Sequence, residues 1–251
     1  MKDLIYGLNP VREAIKAGTA GVVYVSPSRK KGMKDILKEA EAAGVEVKIM
    51  RDAGFFDSRF PKGHQGIAAS RYESPTTHGG ASRTPVTSMD DLLSKQAQDR
   101  LALYIVLDQI EDPRNLGAIL RTAEAAGATG VVTQERRSAG LSPEAVKASA
   151  GASEHIPLVV VTNIKNALRR IREEGITIAG AEALDEAVPA WDADLSLPLA
   201  LVVGSEGKGL RRTVRQMCDV LVSLPLMGKV SSLNASVACG AIIFEILRQN
   251  R

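Results

Sequence analysis

From Leu101 onward, short apolar runs alternate with longer amphipathic stretches. Most of the runs are apolar throughout, as in strands buried on both faces of a parallel sheet, and the stretches between them have the spacing of crossover helices. The predicted strands are 102–107, 130–133, 158–161, 177–181, 199–203 and 220–223. The predicted helices are 115–126, 143–150, 164–174, 210–217 and 234–248. This pattern predicts an α/β domain built on a parallel sheet.

The N-terminal part has a shorter pattern of its own. A helix is predicted to begin with Asn9 as its cap and Pro10 at its first position, and to end near Gly18. The other predicted elements are strands at 21–26, 45–50 and 65–70 and a helix at 34–43. These elements predict a small α/β domain over residues 1–71.

Residues 72–87 interrupt both patterns. Pro, Gly, Ser and Thr dominate this stretch and no apolar period continues through it, which is typical of a linker. A short helix is predicted after it at 88–94, with Ser88 as its cap. We therefore expect an N-terminal domain at 1–71, a linker with a short helix at 72–97, and a larger domain at 98–251.

Composition narrows the class of partner. Aromatic residues make up only 4% of the chain, which argues against a protein that binds single-stranded bases mainly by stacking. The net charge of +3 is compatible with an anionic partner without requiring one.

Cysteine content and the apolar runs bear on the compartment. Two cysteines, Cys218 and Cys239, are too few for a disulfide framework or a zinc site, so we expect free thiols and no metal. The N-terminus lacks the apolar core of a signal peptide, and the apolar runs are too short to span a membrane. A cytoplasmic location is expected.

The loop after the first strand of the larger domain is rich in polar groups. Pro113 biases Asp112 away from helical geometry, Asn115 is a natural helix cap, and Gly117 permits close approach of another backbone or a ligand. Arg121 follows Asn115 by just under two helical turns. Taken singly, each residue is explained as a cap or a solvated charge. Together, at the carboxyl end of a parallel strand, they favour a binding site.

A second loop, Gly204–Gly209, reads Gly-Ser-Glu-Gly-Lys-Gly between a buried strand and a helix. Its glycines predict a tight turn with exposed backbone amides, suited to a polar or anionic ligand. Leu210 stands where a phosphate-binding P-loop needs Ser or Thr, and the dinucleotide spacing is absent as well. Glu206 has no packing role in such a turn, so a ligand site competes with a plain turn carrying a surface carboxylate.

A third loop, 223–236, leads from the last strand into the final helix. Either Ser232 or Asn234 is expected to cap that helix. The loop also places small polar groups beside three leucines, Leu224, Leu226 and Leu233. This mixture suits a ligand of the size of adenosine, whose base needs apolar walls and whose edges need backbone hydrogen bonds.

Taken together, the three loops resemble the SpoU, or TrmH-like, branch of the SPOUT RNA methyltransferases. That family carries an Asn-x5-Arg motif, a Gly-x-Glu-Gly-x-Gly turn and a Ser-x-Asn-x-Ser helix start. Here these are Asn115 with Arg121, the 204–209 turn, and Ser232 to Ser236, in the same order. The resemblance covers 101–248. Tyr6–Val11 also resembles the start of the ribosomal-protein-like RNA-binding domain of members that modify a guanosine of large-subunit ribosomal RNA.

The resemblance implies a fold, a cofactor and an activity. The C-terminal parallel-sheet domain would contain a trefoil knot and the chain would form a homodimer with its site near the interface. S-adenosyl-L-methionine would donate a methyl group to a ribose 2′-hydroxyl of RNA, and the expected substrate is large-subunit ribosomal RNA. Transfer RNA as substrate, and a non-catalytic RNA-binding or ribosome-assembly protein, remain alternatives. The implied catalytic residues are Arg121, Asn115, Glu206, Ser232 and Asn234, and the implied cofactor contacts are Gly204, Leu224, Leu233, Gly209, Leu226 and Asn234.

The family places Arg121 at the reacting hydroxyl. A guanidinium is ordinarily never deprotonated, so we interpret Arg121 as a stabiliser of phosphate and alkoxide and leave the proton to water or a phosphate oxygen. The three histidines lie outside the motif loops. Candidate phosphate contacts are Arg29, Lys30, Lys31, Lys34, Arg114, Arg136, Arg137 and Lys147.

Overall fold

A computed structural model describes residues 4–71, 88–94, 101–229 and 232–251. Its strands form a four-stranded sheet in the N-terminal part and a seven-stranded sheet in the C-terminal part. The linker predicted at 72–87, and the end of that segment at 95–97, lie outside the described residues. No helix within the described ranges is both long and apolar enough to cross a membrane.

The N-terminal sheet is mixed. Its elements are β1 (Leu4–Tyr6), α1 (Leu8–Lys16), β2 (Ala20–Val25), α2 (Lys34–Ala42), β3 (Glu46–Ile49), α3 (Ala53–Arg59) and β4 (Ile67–Arg71). The strand order is β1-β4-β2-β3, in which only the β2–β3 pair is parallel. The buried apolar faces of α1 and α2 pack on this sheet around Val11, Val23 and Ile36. The small α/β unit predicted from the sequence is confirmed.

Two details of this unit differ from the prediction. Helix α1 begins at Leu8 after Gly7, whose φ is 97°, so Asn9 lies in the first turn and the prediction that it caps the helix was wrong. The short elements β1 and α3 were not predicted. The three residues of β1 are too few for a periodic pattern, whereas α3 has a conventional cap that a search for caps could have found: Asp52 accepts a hydrogen bond from the Phe55 N–H at 2.6 Å.

The C-terminal sheet is parallel throughout. Its elements are α4 (Met89–Ser94), β5 (Leu103–Asp108), α5 (Pro113–Ala125), β6 (Gly130–Gln134), α6 (Pro143–Ala148), β7 (Leu158–Val161), α7 (Ile164–Glu173), β8 (Thr177–Ala181), β9 (Val188–Pro189), β10 (Leu199–Gly204), α8 (Arg212–Arg215), β11 (Val220–Ser223) and α9 (Ala235–Gln249). The order is β7-β6-β5-β10-β8-β11-β9. The predicted parallel α/β domain is confirmed, with β9 missed and α8 shorter than the predicted 210–217.

Both faces of this sheet are covered, which explains why its strands lack a polar alternation. On β5, Leu103, Ile105 and Leu107 face one core together with α5 and α9. Tyr104 and Val106 face the other core, with α4 and α7. Every residue of β5 is buried. The central strands therefore appear as uninterrupted apolar runs in the sequence.

The two parts of the chain contact each other through a cluster that we call the Glu154 cluster, formed by Thr19, Arg71 and Glu154. Arg71 donates to Glu154 from Nη2 at 2.5 Å and from Nη1 at 3.2 Å, and the Thr19 hydroxyl donates to it at 2.9 Å. The side chains of Arg71 and Glu154 are only 9% and 1% exposed. Val146 of α6 also packs into the apolar core of the N-terminal part. The contact is therefore both ionic and apolar.

Candidate active site

The three motif loops meet at one edge of the C-terminal sheet. Strands β5, β10, β8 and β11 are consecutive neighbours and all point the same way. Their carboxyl ends therefore lie side by side, where open parallel sheets bind ligands. The register confirms the alignment, because Asp108 at the end of β5 pairs with Gly204 at the end of β10.

The start of α5 differs from the prediction in one respect. Asp112 caps the helix by accepting a hydrogen bond from the Arg114 N–H at 2.8 Å, and Pro113 is the first helical residue. Hydrogen bonds from the Arg114 side chain lower the pKa of the Asp112 carboxyl. Asn115, proposed from sequence as a cap, lies in the first turn instead and is buried. Its side chain is therefore free to reach a neighbouring loop.

The glycine-rich turn folds back on itself after β10. The Gly209 N–H donates to the Ser205 carbonyl at 3.0 Å, which closes the turn. A Cβ on Gly204 would lie 2.2 Å from the carbonyl carbon of Gly209, so no larger residue fits there. Gly207 and Gly209 have φ of 74° and 63°, which glycine adopts without strain. Glu206 stands exposed at the tip of this turn.

Three predicted residues form one hydrogen-bonded group, which we call the Glu206 cluster: Asn115, Glu206 and Asn234. Asn115 Nδ2 donates to Glu206 Oε1 at 3.0 Å, and Asn234 Nδ2 donates to Asn115 Oδ1 at 2.9 Å and also to Glu206 Oε1. Asn234 Oδ1 caps α9 by accepting the Ser236 N–H at 2.9 Å. One residue from each motif thus meets the other two.

A cavity of about 480 Å³ opens beside this cluster. It lies over the ends of β10, β8 and β11 and is bounded by the start of α9. Its lining residues are Ala181–Leu184, Val203–Gly209, Val222, Leu224, Leu226, Ser232, Leu233, Ala235, Ala238 and Ile242. Five of the predicted cofactor contacts are in this set, namely Gly204, Gly209, Leu224, Leu226 and Leu233. Asn234 is outside it. Val230 and Ser231 of the third loop lie outside the described residues.

Arg121 is not joined to the Glu206 cluster. It lies on α5 as an exposed residue, and its side chain makes no hydrogen bond or ion pair with any residue that the structure describes. The helix it belongs to packs against α9, where Gly240 faces Thr122. Its guanidinium is therefore available to a ligand or to a second molecule.

Sequence reasoning missed two carboxylates at strand ends. Asp108, fully buried, accepts the Arg211 N–H at 2.9 Å and Nε–H at 2.7 Å, which ties the loop after β10 to the end of β5. Glu182 follows β8 directly and lines the cavity. The signal that could have found both is a carboxylate at the carboxyl end of an apolar run, a place where packing alone does not call for one.

Comparison with known proteins identifies the chain. The family described as SpoU rRNA Methylase matches residues 102–244, and the family described as RNA 2′-O ribose methyltransferase substrate binding matches residues 4–73. The chain belongs to the SpoU rRNA methylase family. The two matches correspond to the two sheets, so the family resemblance predicted from the motifs is confirmed.

Relatives match over nearly the full length. A putative TrmH family tRNA/rRNA methyltransferase of Staphylococcus saprophyticus is 37% identical, with 98% of this chain and 95% of the relative covered. The 23S rRNA (guanosine-2′-O-)-methyltransferase RlmB of Shewanella oneidensis is 34% identical, with 100% and 98% covered. The fold is shared by the SpoU methyltransferase AviRb from Streptomyces viridochromogenes in complex with AdoMet, with a TM-score of 0.75, 23% identity, and 99% and 91% covered.

The chain is therefore an S-adenosylmethionine-dependent RNA ribose 2′-O-methyltransferase, as the motifs predicted. The volume and the lining residues of the cavity also fit S-adenosylmethionine. Its volume lies within the range of small-molecule sites, roughly 300–1,000 Å³. Leucines supply apolar walls for a base, and the glycine turn supplies backbone groups for its polar edges.

Proposed function

We propose that this enzyme methylates the ribose 2′-hydroxyl of a guanosine in large-subunit ribosomal RNA. The observation that carries the reaction is the Glu206 cluster, in which all three motifs converge at the mouth of the cavity. The choice of ribosomal RNA is supported by the full-length similarity to the Shewanella oneidensis enzyme, which extends through the N-terminal sheet. Transfer RNA is the alternative substrate, since the Staphylococcus saprophyticus relative is described for either RNA.

In this proposal the cavity holds S-adenosylmethionine, which supplies an electrophilic methyl group when bound. Gly204, Leu224 and Leu233 hold it by backbone and apolar contacts, together with Gly209 and Leu226. Asn115 and Asn234 fix the Glu206 carboxylate at the mouth of the cavity, and Ser232 lines the wall nearby. Orientation of the two reactants is the main contribution of these residues.

Arg121 stabilises charge in the proposed reaction. Its guanidinium contributes a positive charge and a planar fork of donors for a phosphate and for the developing ribose alkoxide. The proton of the hydroxyl leaves to water or to a phosphate oxygen. The exposed position of Arg121 supports this role, because no carboxylate among the described residues pairs with it.

We also propose that the C-terminal region forms the trefoil knot that the family resemblance implies. Supporting this, α9 packs back against both α5 and β10, and its residues Ala238 and Ile242 line the same cavity as the glycine turn. A knot is a rare exception among protein folds, and here it would bind the three motif loops into one rigid pocket.

A homodimer is part of the same proposal. Helix α9 carries an exposed apolar face on which Val237 and Phe244 are 56% and 53% exposed, with Leu233 just before it. Val237 and Phe244 are two turns apart and share this face. A second copy covering it would lie close to Arg121 on the neighbouring α5. Replacing Phe244 by Glu should shift the protein from dimer to monomer in light scattering.

We propose three segments: an RNA-binding domain at 1–71, a linker with a short helix at 72–97, and the methyltransferase domain at 98–251. Arg29, Lys30, Lys31 and Lys34 are exposed on one edge of the N-terminal unit, and Arg136 and Arg137 are exposed beside the sheet edge of the site. Two other candidates are engaged already: Arg114 pairs with Asp112 at 2.9 Å, and Lys147 lies 5.2 Å from the ring centre of Tyr6. RNA binding that did not weaken with salt would contradict this surface. The cytoplasmic location belongs to the same proposal.

Methyl transfer from labelled S-adenosylmethionine to unmodified ribosomal and transfer RNA tests the proposed substrate. Alkaline hydrolysis follows, because a 2′-O-methyl group removes the hydroxyl needed for cleavage and leaves a resistant dinucleotide. Label in a guanosine dinucleotide of large-subunit RNA is the expected result. Label confined to transfer RNA would overturn the substrate while leaving the reaction intact.

A further inference from the structure

The lining of the cavity contains three charged side chains among the described residues: Glu182, Glu206 and Lys208. Glu206 is held by two asparagine amides, and Lys208 is exposed on the glycine turn. Glu182 differs from both. It directly follows β8, is partly buried, and belongs to none of the three family motifs. A partly buried carboxylate in the wall of a ligand cavity requires a partner that offsets its desolvation.

One oxygen of Glu182 has such a partner and the other has none. Oε1 accepts the Leu210 N–H at 2.6 Å. Oε2 accepts no hydrogen bond from any residue that the structure describes. It lies close to Gly209, since a Cβ there would be 2.6 Å from Oε2. The carboxylate is therefore anchored on one side, and its second oxygen remains an acceptor at the wall of the cavity.

Strand order shows which end of a bound cofactor Glu182 would meet. Asn115 follows β5 and Glu206 follows β10, whereas Glu182 follows β8, which is one strand farther along the sheet. If the reacting methyl group lies at the Glu206 cluster, where the three motifs meet, the nucleoside half would extend over β8 and β11, where leucines line the cavity.

The chemistry of a nucleoside narrows the contact. Leu224 and Leu226 offer apolar surface to a base but no acceptor from their side chains. The ribose carries two adjacent hydroxyl donors, and a carboxylate is the side chain that accepts from such a pair most strongly. Dinucleotide-binding sheets use an acidic residue at a strand end in the same way, as a matter of general geometry.

We propose that Glu182 binds the ribose of S-adenosylmethionine by accepting a hydrogen bond from its hydroxyl groups through Oε2. This inference rests on the placement of the cofactor in the cavity, which is part of the proposed function. It adds a side-chain contact to a pocket otherwise formed mainly by backbone and leucines.

Calorimetric binding of two ligands to the full-length chain tests the proposal: S-adenosylhomocysteine and its analogue lacking both ribose hydroxyls. The wild-type chain should bind the analogue about tenfold or more weakly, the loss expected for a hydrogen bond to a charged group. In Glu182→Ala, binding of S-adenosylhomocysteine should weaken by a similar factor while binding of the analogue hardly changes. The difference between the two ligands should therefore almost vanish.

Glu182→Gln and Glu186→Ala complete the set. Glutamine retains an acceptor for the Leu210 N–H, so this variant should keep the turn intact and show a reduced ligand difference. Glu186 is exposed on the same loop and does not line the cavity, so its variant should behave as wild type.

Equal weakening of both ligands in Glu182→Ala and Glu182→Gln would mean that Glu182 acts only by holding Leu210, and would overturn the inference. Failure of the wild-type chain to bind S-adenosylhomocysteine at all would instead overturn the placement of the cofactor. If wild type bound the two ligands with equal affinity, the ribose contact would be excluded directly.

Discussion

Two glutamates of this chain are held in opposite ways. Glu154 is almost fully buried between the two sheets and is paired with Arg71 and Thr19. Glu206 is exposed at the mouth of the cavity and is held by the neutral amides of Asn115 and Asn234. The first arrangement cancels the charge of the carboxylate, whereas the second fixes its position and leaves its charge in place.

This difference indicates that Glu154 contributes mainly to stability and Glu206 mainly to function. A buried charge is costly unless its partner stays, so breaking the Glu154 cluster should affect folding. An exposed carboxylate carries no such cost, and neutral amides position it without neutralising it. A change at Glu206 itself should therefore affect turnover and leave the free energy of unfolding nearly unchanged. Four predictions test this contrast.

The largest effect is expected for Glu154→Ala. Removing the carboxylate leaves the Arg71 guanidinium buried without its partner, which should lower the free energy of unfolding by about 3–5 kcal/mol. Urea denaturation measures this. The double variant Arg71→Met, Glu154→Met removes both charges and should recover much of the loss. A decrease of less than about 1 kcal/mol in the single variant would show that Glu154 contributes no more to stability than an exposed glutamate does, which would contradict the comparison.

Arg121→Lys tests the other side of the contrast. Lysine keeps the charge but loses the planar fork of donors, so turnover should fall roughly a hundredfold, the scale of one lost charge-stabilising donor. The melting temperature should not move, because Arg121 is exposed and unpaired within the described structure. Arg169→Lys, on an exposed site of α7, is the matched control. Near-normal turnover in Arg121→Lys would refute the assigned role.

Glu206→Gln should have a smaller effect on turnover. The amide keeps the shape and one acceptor for Asn115 but loses the negative charge, so we expect a decrease of roughly tenfold with the free energy of unfolding changed by less than about 1 kcal/mol. Initial rates and urea denaturation of the same preparation measure both. A large loss of stability with intact specific activity would reverse the comparison with Glu154.

The smallest effect is expected for the thiol of Cys239, whose pKa is shifted by burial alone. Burial raises the pKa of the Cys239 thiol from its ordinary value of 9.0 to about 12. Because the folded pKa is the higher one, the thiol's contribution to stability is complete well below pH 9.0 and is lost as the pH rises through and above that value. At about pH 10 the loss should be about 1 kcal/mol.

Urea denaturation of Cys239→Ala at about pH 7 and about pH 10 isolates this contribution, since alanine cannot titrate. The difference between the two pH values should shrink by about 1 kcal/mol relative to wild type. Burial first, and then the nearby carboxylates of Asp219 and Glu182, raise the pKa of Cys218 to about 12 as well. Cys218 is still present in Cys239→Ala, so its own contribution to the pH dependence of stability should remain in that variant. An unchanged pH dependence in Cys239→Ala would show that this thiol does not titrate on unfolding.

Much of the C-terminal fold followed from hydrophobic pattern alone. The strands predicted at 158–161, 177–181 and 220–223 have the observed bounds. Burial on both faces leaves a continuous apolar run that needs no tertiary information to recognise. Elements of two or three residues, such as β1 and β9, were missed because a period cannot be read from so few positions.

The prediction for the cap of α5 was wrong because two nearby residues could fill that position. Asp112 and Asn115 are both good helix caps, and the sequence does not say which one takes that position. The structure assigns the cap to Asp112, and Asn115 then turns toward Glu206. The residue whose local role was mistaken is the one that joins two motif loops.

Residue types at short spacing were enough to predict the parallel α/β architecture, the three motif loops and the family. Three contacts could be found only in the folded molecule: Glu182 lines the cavity, Glu154 pairs with Arg71, and Asn234 bonds to Asn115. Those contacts depend on strand order and on how the two sheets pack. Residues far apart in the chain become neighbours only when the whole fold has formed, and no local pattern encodes their distance.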